Sequence, residues 1–176
     1  MKLHLGCGSK HIDGFINIDA RALPEVDEVD DVKTLQKFDI NTVDLIYASH
    51  ILEHITRLEY TNVLSRWYDL LKEGGVLRIA VPDIEKVFEH YSLNKDLRTL
   101  RGFLWGGHSY GFNYHYCGWD FKTLSEDLIS VGFKDIKIYD WRKTEHSHID
   151  DFSQCYLPHM DKDNGMLMSL NIEAKK

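Results

Sequence analysis

The residues best suited to chemistry lie at the start of the chain, where a short apolar run leads into two glycines. Leu3–Leu5 predicts a strand, and Gly6–Gly8 follows it at once. A Cβ at either glycine would block a ligand that lies against the backbone, so this arrangement is typical of nucleotide-like cofactor sites. The next apolar run, Phe15–Ile18, ends at the acid Asp19. The pattern predicts a nucleotide-like cofactor, and an ordinary strand-to-loop turn is the alternative.

The spacing of these residues excludes the two common phosphate-binding motifs. A dinucleotide fingerprint needs a third glycine three residues after the second and an acid about 20 residues on. Here His11 takes the glycine position, and Asp19 follows Gly8 by only eleven residues. No Gly-Lys-Ser/Thr follows either, so a P-loop is absent. S-adenosylmethionine, which carries no phosphate, fits better, because a carboxylate after the second strand can bind its ribose and the glycine turn its methionine part.

Composition limits the classes of protein that need to be considered. The chain has 176 residues, of which 43% are hydrophobic, and we predict a single domain over residues 1–176. Its formal charge is −7 and it has no Lys/Arg run, which argues against nucleic acid as a partner. No apolar stretch approaches the roughly 20 residues that span a bilayer, so no membrane segment is predicted. Met1–His4 leads directly into the first strand without an apolar leader, which favours a cytosolic protein.

The three cysteines are an odd and scattered set. Cys7, Cys117 and Cys155 form no Cys-x-x-Cys pair, so neither a disulfide framework nor a cysteine zinc site is predicted. We expect reduced thiols, and Cys7 is better explained as a small packing residue than as a nucleophile.

Hydrophobic periodicity predicts strands and helices in alternation. The predicted strands after the second are Val26–Asp31, Val43–Ser49, Val76–Val81, Phe133–Trp141 and Gly165–Ala174. The predicted helices are Leu58–Lys72 with Gly74 and Gly75 as its stop, one marked by Ile84, Val87, Phe88 and Tyr91, and Asp120–Val131 with Phe121, Leu124, Leu128 and Ile129 on one side. Alternation predicts a parallel sheet covered by helices, with the last two strands as an antiparallel pair. Gly102–Trp119, dense in glycine and aromatic residues, predicts a shaped loop over a ligand.

In this order the motifs resemble a class I S-adenosylmethionine-dependent methyltransferase. The resemblance rests on Leu3–Gly8, Asp19, Asp31, Val43–His54 and Leu71–Leu77. It implies a Rossmann-like α/β sheet, mostly parallel with an antiparallel C-terminal strand. It also implies a role for Asp19 at the ribose and for Asp31 at the adenine. The cofactor-binding residues carried over are Leu5, Gly6, Cys7, Gly8, Asp19, Asp31 and Ser49.

More narrowly, the chain resembles short bacterial predicted methyltransferases associated with surface-polysaccharide synthesis. This resemblance includes Gly118–Asp120 and Trp141–Gln154. It implies a sugar or a nucleotide-sugar as the acceptor, by analogy alone. The chain departs from the usual pattern in one place, because only Ser9–Gly14 separates the glycine turn from the second strand. The first helix is therefore predicted to be shortened or absent, and another segment or a second subunit of a homo-oligomer could cover the gap.

Methyl transfer from a sulfonium mainly requires the nucleophile, methyl group and sulfur to be held in line without water. For a hydroxyl acceptor a general base helps, and histidine can serve, whereas a carboxyl acceptor needs no base. Among the ten histidines, His115 in the glycine-aromatic loop is our first candidate, followed by His50 after the fourth strand and by His108. His54 is better explained as a cap of the turn.

Two alternatives to this enzyme remain open from the sequence. The shortened first helix is compatible with a binding or regulatory module that keeps the fold without turnover. The segment His146–Asp151 carries two histidines and two acids, which could serve a metal-dependent hydrolase. The preferred interpretation of that segment is a polar loop whose acids accept hydrogen bonds from the backbone and from Arg142 or Lys143. We therefore predict no metal site.

Overall fold

The computed structural model describes all residues from Met1 to Lys176. The strands are β1 (Lys2–Leu5), β2 (Ile16–Asp19), β3 (Glu28–Val29), β4 (Val43–Ser49), β5 (Leu71–Pro82), β6 (Lys134–Ile138), β7 (Tyr156–Leu157), β8 (Met166–Leu167) and β9 (Ser169–Lys175). The helices are α1 (Tyr60–Leu70), α2 (Ile84–Asn94), α3 (Leu97–Trp105) and α4 (Phe121–Val131). No helix is both long enough and apolar enough to cross a membrane.

Seven strands form one sheet in the order β3-β2-β1-β4-β5-β9-β6. The pairs from β3 to β5 are parallel, and β9 runs antiparallel to both β5 and β6. This confirms the predicted mostly parallel sheet and its antiparallel C-terminal strand. Because β1, β2 and β4 are parallel neighbours, the glycine turn, Asp19 and Ser49 all lie at the carboxyl edge of the sheet, where open α/β sheets bind ligands.

The centre of the sheet is buried on both faces, but only one face is mainly apolar: on the other, His4, Tyr47 and Arg78 lie in register across β1, β4 and β5. In β4, Ile46, Tyr47 and Ala48 are completely buried in succession, which is the usual pattern for a parallel strand covered on both sides. On α1, Val63, Leu64, Trp67 and Leu70 form the buried face. Helical periodicity in the sequence was therefore sufficient to predict the buried face of α1.

Asn17 organises the segment between β1 and β2, which contains no helix, as predicted. Its buried Oδ1 accepts the backbone N–H of Ile12, and its Nδ2 donates to the carbonyls of Ile12 and Phe15. These bonds satisfy backbone groups that a helix would otherwise pair. Ile12 and Phe15 pack on Leu45 and Tyr47. A short loop with one buried amide thus covers the sheet where a helix would lie.

Two predicted boundaries of α1 and β5 are wrong. The helix ends at Leu70, and Leu71 is extended and pairs with Val43 as the first residue of β5. The glycines predicted to stop the helix, Gly74 and Gly75, lie inside β5. Pairing with β4 makes the strand begin at Leu71, within the predicted helix. A pairing with a distant strand leaves no signal in the local sequence pattern.

Helix α3 was missed, because part of it falls in the predicted loop from Gly102. The helix begins after Asp96, whose side chain accepts the Arg98 N–H at 2.9 Å. Leu97, Leu100 and Leu104 do recur at helical spacing, but the helix has only nine residues and ends in the glycine-aromatic segment, and only Leu100 on it is fully buried. Residues 106–118 are irregular, as predicted.

Elsewhere the predicted elements exist with different bounds. Strands β3 and β6 are shorter than predicted, and Trp141 lies in a 3-10 turn, Trp141–Lys143. Helix α4 begins one residue later than predicted, because Asp120 is its cap and accepts the Thr123 N–H with its side chain. Two of its predicted core residues, Phe121 and Ile129, are exposed instead.

Candidate active site

The glycine turn after β1 has the conformation that its residue types predict. Gly6 has φ +62° and Gly8 has φ +55°, a region that is costly for residues with a Cβ. A Cβ on Gly6 would lie 1.9 Å from Cδ1 of Ile51, in the segment after β4. The turn therefore packs directly against the end of the neighbouring strand, and glycine is required for both reasons.

Gly6→Ala is expected to destabilise the fold by more than the backbone strain alone. The left-handed φ costs about 1–2 kcal/mol, and displacing Ile51 adds about 1–3 kcal/mol. Gly14→Ala is the matched control, because Gly14 also has a positive φ but has no atom within 4 Å of an added Cβ. Urea unfolding of both variants measures the difference. Equal losses of stability would show that the Ile51 contact relaxes without cost.

Asp19 ties the end of β2 to the glycine turn. Its buried carboxylate accepts the Gly8 N–H at 2.9 Å and the backbone N–H of Arg21 at 2.9 Å. Arg21 Nε also donates to it at 2.9 Å. Burial would raise the pKa of Asp19, but the hydrogen bonds from Arg21 and Gly8 lower it on balance. An ionised carboxylate is thus fixed beside the turn.

The irregular loop 106–118 reaches the same corner. Tyr110 of that loop lies 4.8 Å from the Arg21 guanidinium in a cation–π contact. Tyr110 and Arg21 are both partly exposed. The chain from Gly8 through Asp19 and Arg21 to Tyr110 therefore connects the glycine turn with the predicted ligand loop.

The other predicted cofactor residues differ in what they offer a ligand. Leu5 is fully buried at the end of β1, and Cys7 is 4% exposed. Burial raises the pKa of the Cys7 thiol to about 12, which agrees with a packing residue. The hydroxyl of Ser49 is buried without a hydrogen-bond partner. Asp31 is exposed, and its Oδ1 accepts the Lys33 N–H.

Two of the three predicted base candidates meet at a carboxylate that sequence reasoning missed. Glu53 is completely buried in the 3-10 turn Leu52–His54 that follows β4. His50 Nδ1 lies 3.2 Å from Glu53 Oε1, and His115 Nε2 lies 4.0 Å from the same oxygen. Neither carboxylate oxygen has an aligned hydrogen bond. The sequence carried one signal that could have identified Glu53, namely an acid placed within the apolar run Ile51–Ile55.

The histidines determine the charge of this carboxyl group. Burial would raise the pKa of Glu53, but the nearby His50, followed by His54 and His115, lowers it on balance. Burial lowers the pKa of His115, and Glu53 only partly opposes this shift. The group is therefore an anionic carboxylate among imidazoles, in a position where a desolvated charge needs a cationic partner.

His54 and His108 have different surroundings. His54 Nδ1 donates to the Tyr114 carbonyl at 3.0 Å, and its ring packs edge-on against His115. His108, the third candidate, stacks on Tyr114 and its Nε2 donates to the Trp105 carbonyl at 2.6 Å. It is exposed and makes both contacts within its own region, so it does not join the Glu53 group.

The histidine-acid segment near the C-terminus packs and forms hydrogen bonds, as its preferred interpretation expects, but its side-chain partners differ from those predicted. His146 is 2% exposed and packs against Tyr47, with ring centroids 4.1 Å apart. Asp151 accepts the Tyr47 hydroxyl and the Ser153 N–H. Lys162, rather than Arg142 or Lys143, donates to Asp150. His146, Asp150 and Asp151 each therefore have a structural partner within the fold.

The buried His146 is expected to make stability depend on pH. Burial, followed by the Arg78 charge, lowers its pKa to about 4. Unfolded chains bind this proton at pH about 6.5, so stability falls as pH falls from 6.5 through 4, by about 2–3 kcal/mol. Urea unfolding of the parent and of His146→Gln across this range measures the difference, and the exposed His148→Gln is the control. A parent curve parallel to that of His146→Gln would contradict the assignment.

Comparison with known proteins places the fold. No family model matches the chain, and no curated protein matches its sequence. Among solved structures, a SAM-dependent methyltransferase from Archaeoglobus fulgidus has a TM-score of 0.60 at 18% identity over 99% of this chain and 85% of its own. A SAM-dependent methyltransferase from Thermotoga maritima has a TM-score of 0.63 at 13% identity over 99% and 81%.

A third similar structure was solved with ligands. It is the 1,6-didemethyltoxoflavin-N1-methyltransferase of Burkholderia thailandensis, with bound 1,6-didemethyltoxoflavin and S-adenosylhomocysteine. Its TM-score is 0.62 at 17% identity, over 99% of this chain and 70% of its own. The chain therefore has the Rossmann-like fold of class I methyltransferases, as the sequence predicted, and this fold carries the Asp19 corner and the Glu53 group at one edge of the sheet.

Proposed function

We propose that this protein transfers the methyl group of S-adenosylmethionine to a small polar acceptor. One observation carries the proposal: a buried, ionised Asp19 is bonded to the Gly6–Gly8 turn at the carboxyl edge of a class I methyltransferase sheet. A carboxylate held there can accept both hydroxyls of a ribose. The positive sulfonium and adenosine would then lie over the glycine turn.

Each predicted cofactor residue has a proposed role that its placement supports. The turn from Leu5 through Cys7 to Gly8 offers backbone groups to the methionine part, and the unpartnered Ser49 hydroxyl lies at the end of the next strand. Asp31 follows β3 and is proposed to meet the adenine. The Arg21 guanidinium donates hydrogen bonds to the Asp19 carboxylate, so a ribose would have to displace it. Arg21 is partly exposed, and its guanidinium can move toward solvent.

The acceptor side is proposed to lie at the Glu53 group. Beside it, an open depression of about 520 Å³ is lined by Thr56, Arg57, Leu58 and Tyr116. Tyr116 donates its backbone N–H to the backbone carbonyl of Glu53 at 2.8 Å, so the depression adjoins the 3-10 turn that carries the buried carboxylate. A volume of this size suits a small metabolite. His50 and His115 are the candidates for the base that takes the proton of a hydroxyl acceptor.

A sugar or nucleotide-sugar acceptor, and a place in surface-polysaccharide synthesis, are the finer parts of the proposal. They are supported by the resemblance of Gly118–Asp120 and Trp141–Gln154 to short bacterial methyltransferases. A cytosolic location and a homo-oligomer that shields the region of the missing first helix are proposed on the same sequence grounds.

Calorimetric titration with S-adenosylmethionine and S-adenosylhomocysteine tests cofactor binding directly. Release of S-adenosylhomocysteine across a panel of sugars, nucleotide-sugars and small carboxylates then tests transfer and acceptor class. Binding together with sugar-dependent release is the expected result. Binding without release on any acceptor would favour the regulatory module, and no binding of either ligand would overturn the proposal.

A further inference from the structure

The group around Glu53 has a second property that methyl transfer does not require. Glu53, His54 and His115 each present a ligand-type atom, and the three atoms lie within 4.8 Å of one another. They come from two separate segments, the turn after β4 and the irregular loop 106–118. The fold thus assembles one carboxylate and two imidazoles at a single point.

Both imidazoles are oriented as metal ligands are. His54 Nδ1 donates to the Tyr114 carbonyl at 3.0 Å, and His115 Nδ1 donates to the Phe103 carbonyl at 2.9 Å. A carbonyl can only accept, so the proton of each neutral ring lies on Nδ1 and the lone pair on Nε2. Backbone carbonyls that fix the tautomer in this way are the usual outer partners of metal-binding histidines.

The carboxylate supplies an independent observation. Glu53 is completely buried, and neither of its oxygens has an aligned hydrogen bond. His115 Nε2 stands 4.0 Å from Glu53 Oε1, so the lone pair of a neutral ring faces an anion. His50 Nδ1, at 3.2 Å from the same oxygen, can offset part of this charge, and a cation between Glu53 and His115 would stabilise the two facing acceptors.

We propose that Glu53, His54 and His115 bind a divalent transition-metal ion, with Zn²⁺ as the best match. Two nitrogens and one carboxylate oxygen are a common zinc set that leaves a position open. Imidazole ligands disfavour Mg²⁺, which prefers oxygen. Ligand atoms around tetrahedral zinc lie about 3.3 Å apart, so the three side chains need to close only by about 1–1.5 Å.

The ion goes beyond the proposed transfer reaction, because its binding depends on no cofactor or acceptor. With the ion in place, His115 is a ligand and cannot take a proton, which leaves His50 as the remaining histidine beside the carboxylate. The open position would hold water or an acceptor oxygen on the partly exposed side of His54. A metal there would polarise a bound hydroxyl.

Zinc binding to the full chain tests the inference. Protein stripped with chelator is titrated with Zn²⁺ by calorimetry, and retained metal is measured by elemental analysis after desalting. One ion per chain is expected, with affinity lowered at least tenfold in Glu53→Gln, His54→Asn and His115→Asn. Co²⁺ should give visible bands of a tetrahedral site that all three variants lose. Titration with Mg²⁺ should show much weaker binding.

His148→Asn is the matched control, because His148 is exposed and belongs to the other histidine-acid segment. It should bind zinc as the parent does. Circular dichroism of each variant shows whether a loss of zinc affinity is due to unfolding. Because His54 is partly exposed, His54→Asn keeps the test valid if Glu53→Gln does not fold. Zinc retained by folded Glu53 and His54 variants, or no zinc in the parent, would overturn the inference. S-adenosylmethionine titration of the same samples separately tests the proposed function.

Discussion

Replacing Glu53 by glutamine is expected to lower methyl transfer by up to about 10²–10⁴-fold, the full contribution of a general base, because Glu53 positions both candidates for that base. Glutamine keeps the size of the side chain but removes the charge that faces His50 and His115. Affinity for S-adenosylmethionine should change little, because the Glu53 carboxylate faces His50 and His115, whereas Asp19 is bonded to Gly8 and Arg21. Release of S-adenosylhomocysteine with an acceptor from the panel, beside calorimetric titration of the cofactor, measures both quantities.

Glu126→Gln is the control for this experiment, because Glu126 is a largely exposed acid on α4. Its turnover should equal that of the parent. Full turnover in folded Glu53→Gln would place the chemistry elsewhere. A parallel loss of turnover and cofactor affinity would show that Glu53 supports the structure of the whole carboxyl edge of the sheet and has no specific role at the acceptor side.

Asp19→Ala is expected to weaken S-adenosylmethionine binding by about 1–3 kcal/mol, which is about five- to 150-fold in the dissociation constant. The substitution removes the acceptor for the ribose hydroxyls. It also frees the Gly8 N–H, which Asp19 binds at 2.9 Å. Calorimetric titration measures the affinity, and the S-adenosylhomocysteine affinity should fall by the same factor because the ribose is common to both ligands.

Asp39→Ala serves as the control, since Asp39 is an exposed acid in the turn that enters β4 at the opposite edge of the sheet. It should bind the cofactor as the parent does. If Asp19→Ala folds and binds S-adenosylmethionine with parental affinity, the adenosine lies elsewhere and the proposed cofactor corner is wrong.

The local sequence pattern was sufficient to predict the main strands and helices of this fold. Continuous apolar runs predicted β4 and the central part of β5, and helical periodicity predicted α1 and α4, because these segments bury side chains at a regular spacing. The prediction failed where a helix is short or a pairing partner is distant. Helix α3 has apolar residues at helical spacing, but it is short and ends in the glycine-aromatic segment, and the start of β5 at Leu71 depends on its partner in β4.

The sequence by itself determined that the glycine turn and Asp19, the proposed cofactor corner, lie together, because Gly6, Gly8 and Asp19 lie close along the chain and their order after two strands reflects local geometry. Only the tertiary structure decided the composition of the proposed acceptor side. Glu53 and His115 are separated by 62 positions, and they meet because the loop after α3 folds back onto the turn after β4, where Tyr116 bonds the Glu53 backbone. Side-chain type marks a residue as reactive, whereas burial and distant neighbours set its charge and its partners.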